Sequence, residues 1–94
     1  MSEIKRNISV SSTESEIAFD NAFPFVWIRN LGENDCYAAG SSNFTITGED
    51  VVLIKSGEST RVDAITSSIY IKTESGTTTV DAHAQTDAMC PFGV

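Results

Sequence analysis

Apolar residues along this chain recur with a period of two, in short runs cut by Gly, Ser, Asn and Asp. That pattern predicts strands separated by turns. The first run, Ile4, Ile8 and Val10, is interrupted by Lys5 and Arg6 and fits an edge strand or an arm. Residues 11–22 are polar around Ile17 and Phe19, which predicts a loop or a weak strand. Ser12 and Thr13, with Ser15 and Glu16 three residues on, offer a cap for one short helical turn over 12–19 as an alternative. The strongest strand runs from Phe23 to Asn30, aromatic and β-branched, with Pro24 tolerable only near its start. Leu31 to Asp35 is a turn and Cys36 to Ala39 returns from it, so residues 25–39 are expected to form a hairpin.

Further on, Phe44-Thr45-Ile46 alternates, and Val51 to Ile54 is an apolar run of strand length. Thr60 to Ile65 alternates again, and Ser67-Ser68 separates it from Ile69 to Thr73. Glu74-Ser75-Gly76 is the tightest hairpin signal, with Thr77 to His83 expected to pair back. No long window keeps the apolar spacing of an amphipathic helix. The expectation is an all-β fold, a compact β-sandwich or jelly roll of seven to eight short antiparallel strands. Residues 1–22 would be an N-terminal arm or edge strand and residues 23–94 the sandwich domain.

Length and charge narrow the choice of partner. The chain has 94 residues, so its core is thin and association is a common way to bury more surface. Thirteen acids against six bases give a net charge of −7, which disfavours nucleic acid and anionic membranes. No apolar run reaches the length of a membrane span, and residues 1–10 lack the apolar stretch of a signal peptide. Synthesis in the cytosol is therefore expected. The sequons at Asn7 and Asn43 are then chance matches, and Cys36 and Cys90, without CxxC spacing, are expected to be free thiols.

Candidate chemistry is sparse. His83 is the sole histidine and Asp81 shares its strand face, but no GxSxG elbow accompanies them. Cys36, His83 and Cys90 lack the short paired spacing of a zinc site. Gly48-Glu49-Asp50 and Glu33-Asn34-Asp35 do not match a calcium loop. The expectation is no enzyme, no cofactor and no metal. The aromatic run is more informative. Phe23, Phe25 and Trp27 alternate with Val26 and Ile28, so both faces of this strand are apolar. One face would line the core. The other would be a subunit or partner interface, or lie beneath a loop of the same domain.

The stretch Phe25 to Ala38, in which an apolar strand ends in Asn30-Leu31 before a polar turn, resembles small phage and prophage structural proteins. Val52 to Ser59, with its Gly57-Glu58-Ser59 turn, and Ile69 to Val80, where an Ile-Tyr strand precedes Gly76-Thr77, are similar to segments of the same proteins. The likeness covers residues 23–83. It implies a virion structural protein, a capsid decoration, head-fibre or tail accessory subunit, that moves from the host cytoplasm to the virion. It implies contacts with other virion proteins, a homo-oligomer and no catalytic residue. Phe23, Phe25 and Trp27 are the residues expected at the interface. The alternative is a carbohydrate-binding or other small-ligand module stacking sugars on Trp27, Tyr37 or Tyr70.

Overall fold

A computed structural model describes residues 2–63 and 66–91. Eight strands follow in order: β1 (Ser2–Val10), β2 (Ser15–Phe23), β3 (Phe25–Asn30), β4 (Cys36–Ala39), β5 (Val52–Ile54), β6 (Ser59–Val62), β7 (Thr66–Thr73) and β8 (Thr78–Gln85). They form two four-stranded sheets, ordered β1-β8-β3-β6 and β2-β7-β4-β5, with antiparallel pairing throughout. Strands one and eight pair, as do two and seven, three and six, four and five. The chain is thus wound like one long hairpin rolled across two sheets, which is the jelly-roll arrangement.

Inner residues alternate as a sandwich requires. Val26 and Ile28 of β3, with Val80, Ala82 and Ala84 of β8, face Ile69 and Ile71 of β7 and Cys36 and Ala38 of β4. The small Ala82 and Ala84 leave room between the sheets for Phe19 and Phe23, whose rings meet edge to face at 6.2 Å.

Every tight turn carries the chain from one sheet to the other, and this corrects the expected local pairing. Residues 25–39 are not a hairpin, because β3 and β4 lie in different sheets. The Glu74–Gly76 turn likewise links β7 of one sheet to β8 of the other. Gly76 adopts a φ of 74°, and its carbonyl accepts from Thr73 Oγ1 at 2.7 Å. Phe44 to Ile46 forms no strand, and Ser67-Ser68 lies inside β7 instead of interrupting it. Residues 12–19 contain no helical turn; Ser15 already begins β2. Ala64 and Ile65, placed at the end of the expected 60–65 strand, lie outside the described residues.

The expected boundary after residue 22 falls inside β2. Of the two expectations for this segment, arm or edge strand, the topology has the second: β1 and β2 are edge strands of the two sheets. Glu3 links these edges: its carboxylate accepts the backbone N–H groups of Asp20 at 2.9 Å and Asn21 at 3.2 Å. Pro24 then makes the corner between sheets, where its missing N–H interrupts no ladder.

The turns after β1, β3, β5 and β7 gather at one end of the sandwich, where the buried Asn30 joins them. Its Nδ2 donates to the carbonyls of Asn34 at 2.8 Å and Ile54 at 3.1 Å. Its Oδ1 accepts from the Gly32 N–H at 3.1 Å and Thr78 Oγ1 at 2.6 Å. Its backbone exchanges bonds with Glu58 and Gly57, each 3.0 Å. A Cβ at Gly32 would sit 2.0 Å from Thr78 Oγ1, so only glycine fits that crossing. Removing the amide strands buried donors and acceptors at about 1–3 kcal/mol for each left unpaired. Asn30→Ala is therefore expected to lower stability by about 3 kcal/mol in urea denaturation. A loss under about 1 kcal/mol would mean water replaces the amide and the network is not what closes this end.

Candidate functional site on the outer face of the first sheet

The residues most able to meet a partner lie on the outer face of the first sheet. One rung crosses all four strands: Ile4 of β1 stands opposite His83 of β8, His83 opposite Trp27 of β3, and Trp27 opposite Arg61 of β6. The next rung sets Ser2, Gln85 and Phe25 side by side, and Arg29 stands opposite Asp81 on the other side. Ile4 is 46% exposed, while Phe25 and Trp27 are half-buried.

Phe25 and Trp27 thus occupy the second apolar face of their strand as expected. Phe23 does not. It ends β2 in the other sheet, is buried in the core, and is corrected from interface candidate to core residue. The physical reason is the Pro24 corner, which interrupts the alternation that an unbroken 23–30 strand would have kept.

Cover over this face is partial. The Arg61 guanidinium lies 5.0 Å from the Phe25 ring centroid, is ion-paired to Asp63 at 2.6 Å, and donates to the Ala88 carbonyl at 3.4 Å. Gln85 Nε2 donates to the carbonyls of Asp87 and Met89, so the segment after β8 runs beside Phe25. Trp27 Nε1 is buried and, among the described residues, is the one such side-chain atom with no hydrogen-bond partner. Indole N–H groups usually find a partner when buried, so this side chain is under-satisfied in the single chain.

The outer face of the second sheet is covered differently. The 40–51 connection folds against it and buries Phe44. Glu14 accepts the backbone N–H groups of Asn43 and Phe44 at 2.9 and 3.2 Å. Lys72 Nζ donates to the Phe44 carbonyl at 2.6 Å and lies 4.6 Å from its ring centroid. The second sheet thus carries an aromatic cover over part of its outer face, where Leu53 stays exposed, while on the first Ile4, Trp27 and Phe25 keep exposed area.

Charge is also unevenly placed. The first sheet carries Lys5, Arg6, Arg29 and Arg61 against Glu3 and Asp81. The second carries Lys72 against Glu16 and Asp20, and the other nine of the thirteen acids lie in connections. The acidic character therefore belongs mainly to the connections and not to the outer face of the first sheet.

The other candidate groups do not converge. Cys36 points into the core of the second sheet, His83 stands on the outside of the first, and no cluster of three metal-ligating side chains occurs among the described residues. Burial, with the neighbouring Asp35 charge adding to it, pushes the Cys36 thiol up to about 12. Burial and then the Arg6 charge lower the His83 pKa from its ordinary value. Asp81 shares the His83 face as expected, yet its carboxylate accepts the Asn7 N–H at 2.9 Å, closing an irregularity in β1. Asn34 and Asp35 bond Thr77 and Ser56 of neighbouring crossings, at 2.7 and 2.9 Å. Tyr37 and Tyr70 lie on the second sheet, opposite the Trp27 face, so the three aromatics form no common sugar platform. A cleft of about 540 Å³ lies between the 40–51 connection and β6; its Arg61 and Asp63 are already paired to each other.

No family model, curated protein or solved structure matches this chain. Its geometry alone carries the functional argument.

Both cysteines are free, and their surroundings differ. A protonated, fully buried thiol reacts slowly, whereas Cys90 is half-buried near the tail. At pH 8 a maleimide is expected to label one thiol per folded chain, at Cys90, and Cys36 only after denaturation. Two thiols reacting at similar rates in the native protein would contradict this packing.

Proposed function

We propose that this protein is a non-enzymatic virion structural subunit of a phage or prophage, working by protein–protein assembly through the outer face of its first sheet. The observation that carries the reading is the half-buried Trp27 ring in a rung with the exposed Ile4. A tryptophan with apolar area still open to water, ringed by Arg61 and His83, has the make-up of an interface hot spot. The jelly-roll winding is compatible: capsid and lectin domains use it among others, though fold alone names no function. Acidic connections keep the free subunit soluble while leaving the sheet face free to dock.

The test is incorporation into particles. The chain is expected in stoichiometric amount in particles purified from producing cells. Trp27→Ala, with wild-type far-UV circular dichroism, is expected to be depleted at least about tenfold, as loss of a hot-spot side chain entails. A chain confined to the soluble fraction, or a Trp27→Ala variant incorporated normally, would contradict the reading.

A further inference from the structure

We propose that two copies of this chain pair through their β1 edges, antiparallel, about a two-fold axis passing between the Ile4 residues. β1 is a nine-residue strand with one side bonded to β8 and the other free. A free edge is a template for another strand. Proteins that must not pair block their edges with charges and bulges; β1 carries its bulge only in its second half, and the charges of its first half are of both signs, Glu3 against Lys5 and Arg6. The register shifts between Lys5 and Ile8, with Asn7 at a φ of 55°. Residues 2–5 remain regular, and their outer edge is unpaired.

The sequence of that open segment fixes the register. An antiparallel pair that keeps both outer faces on one side must set outer residues opposite outer ones, because side chains alternate between faces. Ile4 lies on the outer face, and Glu3 and Lys5 on the other. An axis at Glu3 would place the two Glu3 side chains opposite each other, and an axis at Lys5 would do the same with the lysines. Both put like charges together. The axis at Ile4 instead sets Ile4 against Ile4, Glu3 against Lys5, and Lys5 against Glu3. The segment Ser2-Glu3-Ile4-Lys5-Arg6 is therefore self-complementary about its central, exposed isoleucine. Lys5 makes no ion pair within the single chain among the described residues. Glu3 is held in place by the β2 backbone, which leaves further acceptor capacity on its carboxylate.

A second observation points to the same side of the molecule. Between the β1 and β2 edges lies a shallow groove of about 180 Å³, lined by Lys5, Ile8, Glu16, Ile17 and Ala18, where the core margin meets water. A partner paired on β1 would close it. The resulting sheet would have eight strands, and the rung Trp27–His83–Ile4 would continue through its symmetry mate. The docking face described above would double in width.

This inference names the first partner in the assembly reading, and a separate experiment tests it. Residues on the axis approach within about 4.5–5.5 Å at Cα, inside the range of a disulfide. Residues one position along are offset by two residues between copies. That places them about 8 Å apart, outside that range. In a Cys90→Ser background, Ile4→Cys is expected to form a disulfide-linked dimer in most of the chains under mild oxidation, and Lys5→Cys almost none. Failure of Ile4→Cys to cross-link, or equal cross-linking of both, overturns the pairing. Lys5→Glu, at an exposed position, should fold normally and weaken association at least tenfold; unchanged association also overturns it. The two readings fail separately. An Ile4→Cys chain that does not cross-link but enters particles refutes the edge pairing alone. One that cross-links but is missing from particles refutes the virion reading alone.

Discussion

The structure depends on the side-chain amide of Asn30. A jelly roll keeps its two sheets together by turns that cross between them, and such turns carry backbone groups that no ladder satisfies. At one end of this sandwich a single buried amide meets that need. It ties the turn after β3 to the end of β5 and to Thr78 at the start of β8. Asn34 extends the link to Thr77, and the Ser11 carbonyl accepts the Thr73 N–H, which brings in the crossing after β1. With these crossings fixed, the alternation of each strand is locked in phase with its neighbours, and the core residues of both sheets are forced to face one another.

That phase decides what remains outside. The same alternation that buries Val26 and Ile28 turns Phe25 and Trp27 outward. The second sheet covers part of its outer apolar surface with Phe44, held by Glu14 and Lys72, and leaves Leu53 exposed opposite Tyr37. The first has only Arg61 and the segment after β8 as cover, and its β1 edge is open on one side. The aromatic rung and the open edge lie on the first sheet, and the groove at the core margin lies where its β1 edge meets β2 of the second. The proposed association through β1 would cover all three at once.

Much of this was legible in the sequence, and the limits have a physical cause. Strand existence and inner faces follow from period two, so β1, β3 and β8 were readable, and a sandwich or jelly roll was the expected class. Pairing was not readable. Turn residues such as Glu74-Ser75-Gly76 specify that the chain reverses, but not whether it reverses within a sheet or across two. Phe23 was assigned to the wrong face because one proline, tolerable at a strand start, instead marks a corner between sheets. The role of Asn30 is not legible in the sequence, because a polar residue ending an apolar strand looks like ordinary turn chemistry until its burial is known. Ile4 stood in a recognised alternating run, yet its place in the Trp27 rung depends on β1 pairing with the last strand of the fold.

The most direct test of the account is the molar mass of the purified chain in solution, measured by light scattering across a concentration series. A subunit completed by association should rise from the 10.1 kDa of one chain to twice that value or more as concentration increases. A constant 10.1 kDa up to millimolar concentration would contradict it, and would mean that the open edge and aromatic rung of the first sheet are stable in water as they stand.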